Sequence, residues 1–288
     1  MTTSTASTGS TVATPRVSVV VPAYNNADFI AATLESILRQ DYDDFEVVVA
    51  DHSSTDGTAD VIARFADDPR MRILEPTPRG GGAKANWARV TSHARGDLVK
   101  LVCGDDLIEP TALSEQVGAF DSNPDVVLVA CRRRLIDASG EVVLGSRGLQ
   151  GISGILPGHT AVRATVLAGT NIFGEPACVL MKRSVLEQVG GWDSEFPYLI
   201  DQMSYSKVML QGSMVALERT LASFRISATQ WSVRLVREQA SQASGYHRAL
   251  RARHPGLLSA RDVLIGNARA HATAYLRRLA YIWLRRRM

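Results

Sequence analysis

Short β-branched runs, each followed by a polar turn and a helix-patterned segment, constrain this chain more than any other feature. Val17-Ser18-Val19-Val20-Val21 ends at Pro22 and reads as a strand buried on both faces. Residues 27–40 then bring Phe29, Ile30, Leu34, Ile37 and Leu38 round at helical spacing. The strand pattern returns at 45–50. Ser53-Ser54-Thr55-Asp56 next offers N-cap side chains for a helix over 57–66, with Val61, Ile62 and Phe65 inward. A short strand at 72–74 precedes the flexible loop Gly80-Gly81-Gly82 and a helix over 84–94. A fourth strand at 98–103 and a helix from Thr111, with Pro110 near its first turn, complete the series. Strands alternating with helices predict an α/β domain with a parallel sheet and crossover helices.

After residue 124 the rhythm changes. A strand is expected at 126–130. Leu135-Ile136 and Val142-Val143-Leu144 flank Asp137-Ala138-Ser139-Gly140, a hairpin turn signal. A Gly-rich stretch covers 145–158, another strand 177–181, and a short helix 184–189 that Gly190-Gly191 stops. Residues 201–211 form a further helix. From about 231 the chain reads mostly as helix, broken near His254-Pro255-Gly256. The expected divisions are a disordered leader (1–15), a body (16–225, halves 16–123 and 124–225) and a basic helical extension (226–288). The leader lacks the basic and apolar segments of a signal peptide.

A net charge of +3 conceals a division. Residues 225–288 hold 13 Arg against Glu238 and Asp262, or +11, and the rest of the chain carries −8. Such a split suits two tasks, or one task at an anionic surface; a solvated arginine-rich helical face is the plainer alternative. Arg outnumbers Lys 28 to 4 throughout, so the tail must be judged against that bias. The three cysteines, Cys103, Cys131 and Cys178, form no CxxC pair, which indicates neither a zinc site nor a disulfide framework and fits a reducing, cytoplasmic setting.

In a parallel α/β sheet, ligands sit beyond the carboxyl ends of the strands. Three polar clusters fall there: Pro22-Ala23-Tyr24-Asn25-Asn26, Asp51-His52-Ser53-Ser54-Thr55-Asp56-Gly57, and Gly104-Asp105-Asp106. Each alone could be a helix cap; three in order point to one ligand edge. Adjacent acids repel unless a cation lies near them, and hard oxygen ligands suit Mg²⁺ or Mn²⁺ bridging to substrate phosphates. No GxxxxGK[ST], GxGxxG or GxSxG occurs, which disfavours P-loop, dinucleotide-binding and serine-hydrolase readings.

The run from Val17 to Asn26, Asp51 to Thr58, Gly96-Asp97 and Gly104-Asp105-Asp106, with Gly174-Glu175-Pro176 and Gly190-Gly191-Trp192-Asp193, resembles the family-2 glycosyltransferases of the GT-A fold. The likeness covers residues 17 to about 212. It implies a Rossmann-like sheet that binds a nucleoside-diphospho-sugar, followed by a helical C-terminal extension, and an inverting, metal-dependent sugar transfer to an acceptor hydroxyl. By the same resemblance Pro22, Ala23, Tyr24 and Asn25 hold the nucleotide, and Asp51 is the first acid of the family's pair. His52 replaces the second acid; UDP and dTDP donors both stay open, since a neutral imidazole nitrogen can accept an N–H from either base. Asp106 matches the metal position, for Mn²⁺ or Mg²⁺, and Asp105 the place beside the ribose or metal. Cys103 stands where other members carry an acid. Lys84 is matched to the phosphates, and Glu175, Trp192 and Asp193 to the acceptor side. Asp201 matches the catalytic base, with Asp193 and Glu195 as rivals; an N-cap is the other role for Asp201.

In the tail, Leu264, Ala268, Tyr275, Leu279, Ile282 and Trp283 lie among six arginines at helical spacing. That face is expected to pack on the catalytic domain, on a second subunit as a homodimer, or peripherally on the inner face of a membrane. Nucleic acid is not an expected partner. The competing function is a non-catalytic scaffold of the same fold in a membrane-associated polysaccharide assembly.

Overall fold

The computed structural model describes residues 14–226 and 238–284. The expected leader falls almost wholly outside these residues. Ten strands among them form one sheet. β1 (Val17–Ala23), β2 (Phe45–Asp51), β3 (Met71–Ile73) and β4 (Leu98–Leu101) run parallel in the order β3-β2-β1-β4. The helices α1 (Ile30–Leu38), α2 (Thr58–Ala63) and α3 (Gly82–Ser92) make the crossovers. Every residue of β1 and β2 is buried, as an apolar run covered on both faces must be.

The second half joins across an antiparallel seam. β9 (Val179–Lys182) pairs with β4 through Leu98–Lys182 and Val99–Met181, and on its other side with β6 (Val126–Ile136). β10 (Ser213–Arg225) lies parallel to β6, and the two-residue β5 (Leu107–Ile108) closes that edge. β7 (Val142–Arg147) forms the expected hairpin on β6; β8 (Gly154–Pro157) pairs with β10. Around them pack α4 (Ala112–Asp121), α5 (Gly158–Ala168), α6 (Arg183–Gln188) and α7 (Ile200–Met209).

Some details differ from the sequence reading. The fourth strand ends at Leu101, because Cys103 already belongs to the turn whose carbonyl accepts the Asp106 N–H at 3.0 Å. Asp56 serves α2 through an Asx turn onto Thr58 N (3.1 Å), with Gly57 in the left-handed region at the helix start. The strand expected from 177 begins at Val179, after a 3₁₀ turn over Pro176–Cys178.

The C-terminal helices α8 (Gln239–Arg253) and α9 (Ala260–Leu284) pack on the second half of the body. Arg163 of α5 grips Asp262 with two hydrogen bonds, of 2.8 and 3.1 Å, and Tyr246 donates to Ser206 Oγ at 2.6 Å. Gly266 lets α9 approach α5 closely: a Cβ there would stand 2.5 Å from the Val166 carbonyl oxygen. The inward face of α9 carries Val263, Ala270 and Ala274. Leu264 and Tyr275, expected on the packed face, are 70% and 62% exposed. The side chains of Leu279, Ile282 and Trp283 lie outside the described residues. Among the described residues, no helix is long and apolar enough to cross a membrane.

Gly158 starts α5 where the chain passes under α7; a Cβ would fall 1.8 Å from the Met209 carbonyl oxygen. Gly158→Ala should therefore cost about 1–3 kcal/mol, the usual penalty of overpacking. The expected reading is a lower urea midpoint at unchanged slope; a wild-type midpoint refutes the close approach.

Candidate functional site

The two halves of the sheet and the C-terminal helices enclose one cavity of about 810 Å³, within the range of small-molecule sites. At its first end the strand-end turns of β1 and β2 are latched together. Asn25, at φ +50, accepts Thr55 N–H on its side chain (3.0 Å), while its own N–H reaches Ser54 Oγ (2.8 Å). Asn26 Oδ1 takes the Tyr24 N–H at 2.8 Å. This leaves Tyr24, 54% exposed, free to present its ring beside His52, edge on at 5.9 Å. His52 Nε2 lies 2.9 Å from the Pro78 carbonyl and 3.0 Å from that of Gly80. Both partners are acceptors, so Nε2 carries the proton. Nδ1 is the ring's remaining acceptor.

In the middle, the turn after β4 brings Asp105 and Asp106 to the cavity wall. Asp106 is 1% exposed. Burial first, then the charge of Asp105, push its carboxyl well above the usual range, against the Arg225 N–H that donates to Oδ1 at 3.1 Å. Arg225 also donates from Nε to the Asp105 carbonyl (3.0 Å) and from Nη1 to those of Asp137 and Ala138 (3.0 and 3.1 Å), over the Phe29 ring. Two hard carboxylates, one of them short of compensating charge, fit a divalent cation that takes its other ligands from water and phosphate. Among the described residues no group of three or more His, Cys, Asp or Glu could enclose a metal alone, so any such site is an open one.

At the far end stand Asp201 and Glu175. Asp201 opens α7 and accepts Gln202 N–H (2.7 Å) on one oxygen and Asn171 Nδ2 (2.8 Å) on the other. Burial raises its pKa to about 6, with Glu175 adding to the rise and the two donors opposing it. That is a carboxylate poised to take a proton near neutral pH. Glu175 faces Arg133 in an ion pair and hydrogen bond (Nη2, 3.0 Å).

Pro22, Tyr24, Asn25, His52, Asp105, Asp106, Glu175 and Asp201 thus share the cavity, and six other sequence candidates are not on its wall. The Ala23 side chain is buried, and its carbonyl takes His52 N–H (2.9 Å) and Asn86 Nδ2 (3.2 Å). Asp51 spends its carboxylate inside its own turn, on the N–H and hydroxyl of Ser54. Lys84 sits exposed on α3, where its charge acts on Asp193. Trp192 is 3% exposed; its indole donates to Thr91 Oγ1 (2.9 Å) and it props Trp87, which does line the cavity. Asp193 pairs with Lys207 and accepts Glu195 N–H (2.9 Å). Glu195 is bound to Arg253 at 2.7 and 2.8 Å. The basic extension is not separate from the site either, since Gln239, His247 and Arg277 complete the wall.

Asn171, Arg133 and Arg225 were missed as site residues. Three consecutive arginines, Arg132 to Arg134, after the apolar run of β6 were a readable signal for Arg133; nothing local marked Asn171. Because the Asn171 hydrogen bond favours the Asp201 carboxylate, Asn171→Ala should move the Asp201 titration above about 6. Carboxyl-carbon NMR reads this, and an unmoved titration removes Asn171 from its positioning role.

The family model described as Glycosyl transferase family 2 matches residues 18–190. The uncharacterized protein MT1568 of Mycobacterium tuberculosis (strain CDC 1551 / Oshkosh) is 30% identical over 233 residues, 78% of this chain and 71% of that one. S. aureus TarS 1-349, in complex with UDP-GlcNAc, superposes with a TM-score of 0.65 at 19% identity, over 82% of this chain and 66% of that one. The mannosyltransferase PcManGT from Pyrobaculum calidifontis, in complex with GDP-Man and Mn²⁺, gives 0.63 at 24% identity, over 92% and 70%. At those identities the two structures speak for the fold.

Proposed function

This chain belongs to glycosyl transferase family 2 and has its GT-A fold, and we propose that it moves a sugar, with inversion, from a nucleoside-diphosphate donor to an acceptor hydroxyl on a glycan, glycolipid or natural product. The observation that carries this reading is the single cavity shared by the strand-end turns, the Asp105-Asp106 pair and Asp201. Asp201 removes the hydroxyl proton as that oxygen attacks the anomeric carbon. The nucleoside diphosphate departs from the opposite face, so one displacement inverts the centre. Asn171 and Gln202 N–H hold the carboxylate at the acceptor side.

Tyr24 and His52 take the base. With Nε2–H turned to two backbone carbonyls, Nδ1 of the neutral ring accepts an N–H, which uracil and thymine both offer; this supports UDP or dTDP as the carrier. Asp106 and Asp105 would hold Mn²⁺ or Mg²⁺ against the diphosphate. A divalent ion there supplies positive charge to the leaving group. The three free thiols support a reducing, cytoplasmic setting. A scaffold without activity has less behind it, since it leaves the buried Asp106 and the raised Asp201 without a task.

Asp201→Asn should lower turnover about 10²- to 10⁴-fold, the usual worth of a general base, while calorimetry shows the nucleotide still bound. Turnover near wild type removes Asp201 from the mechanism. In the wild type, kcat/KM should climb with pH as Asp201 loses its proton at about 6, then level off; a profile flat from pH 5 to 8 contradicts the assignment. Asp106→Ala should abolish the dependence of nucleotide affinity on Mn²⁺, and equal affinity with and without Mn²⁺ in the wild type would count against the metal position.

A further inference from the structure

Arg133 of β6 and Arg147 of β7 are direct cross-strand partners, and both line the cavity. Like charges set opposite each other in a sheet are destabilising. Arg277 of α9 joins them on the same wall, and the charges of Arg133 and Arg277 both act on Arg147. The chain turns away after Arg147 at Gly148, whose φ is +116; a Cβ there would stand 3.0 Å from Arg133 Nη1. A glycine is what lets the Arg133 guanidinium lie against this turn.

One carboxylate, Glu175, faces the three charges. Glu175 bonds Arg133 alone, and Arg133 is 5% exposed with its Nη1 buried and without a hydrogen-bond partner. Arg277 donates to neutral oxygens, those of Tyr198, Gln239 and Thr170. Arg147 makes no hydrogen bond or ion pair to the described residues. Buried polar groups left unsatisfied are costly, and three guanidiniums sharing one carboxylate on a cavity wall call for an anion that arrives with the ligand. Their forked donors suit phosphate, sulfate or carboxylate in bidentate geometry.

We propose that the arginine trio Arg133, Arg147 and Arg277 is an anion subsite for the acceptor, which therefore carries a phosphate, sulfate or carboxylate beside the hydroxyl that is glycosylated. This rests on the transferase reading above. The connection to the reacting end is short: Arg133 meets Glu175, and Thr170, bonded to Arg277, precedes the Asn171 that holds Asp201. The donor end, with Tyr24 and His52, is built from other elements.

The test titrates glycerol phosphate, and glycerol as its neutral counterpart, into the full chain by calorimetry, with and without saturating UDP and Mn²⁺. Glycerol phosphate should bind in both settings and glycerol in neither. Arg147→Gln should weaken glycerol phosphate about tenfold or more, the scale of a lost charge-assisted hydrogen bond, with UDP affinity unmoved. Arg277→Gln gives a second variant on a different element. The proposal is overturned if glycerol matches glycerol phosphate, if the arginine variants bind the probe as the wild type does, or if UDP displaces it, which would assign the trio to the donor's phosphates. If UDP itself fails to bind, the donor reading falls, and the nucleotide-free titration still decides the subsite.

Discussion

The seam between β4 and β9 is the contact on which the rest of the molecule depends. Only two residue pairs form it. Beside it lies Lys100, fully buried, whose Nζ donates to the Ala177 carbonyl (2.6 Å) and to Gln116 Oε1 (2.8 Å). Gln116 in turn donates to the Cys178 carbonyl at 2.8 Å. Burial pulls the Lys100 pKa down, so these bonds carry the cost of keeping the amine in the interior. They clamp the 3₁₀ turn that follows Glu175 to the strand that precedes Asp105. The spacing between the Asp105–Asp106 turn and Glu175 is set there.

From the seam outward, polar side chains are spent on holding turns in place, and a few are left over. Asp51, Asn26 and Asp56 look like ligand residues in the sequence, yet their oxygens are engaged with backbone donors. What they secure is the placement of Tyr24 and His52. Trp192 acts in the same way from beneath, through Trp87. Asp106, Asp201 and Arg133 Nη1 are different: burial raises the two carboxyls, and the guanidinium nitrogen has no hydrogen-bond partner. Sites for chemistry are expected where that is so.

The parallel half was legible because its strands are unbroken apolar runs between turn signals. β10 was not. Its pattern is interrupted by Glu218, Arg219 and Thr220, where the register against β6 shifts, and that irregularity erased the strand signal. α5 was hidden by its start in a Gly-rich stretch. Motif spacing located Asp105, Asp106 and Asp201 along the chain and brought them to one cavity. It could not say which face of a turn a side chain takes, which is why Trp192, Asp193 and Lys84 were expected on the wrong side. The tail's charge drew attention to Arg residues but not to their neighbours. Arg277 becomes informative only when α9 is folded back onto the body, where it shares a cavity wall with Arg133 and Arg147.

The family match ends at residue 190, while Asp201, His247 and Arg277 all lie beyond it and all line the cavity. The cavity wall is therefore split: Arg133, Arg147 and Glu175 fall inside the matched stretch, and Asp201, His247 and Arg277 fall outside it. Helices α8 and α9 rest on each other, on α5 and on the 3₁₀ turn at Pro197–Leu199. The wall opposite the strand-end turns is thus closed by a length of chain that the recognisable signature does not reach.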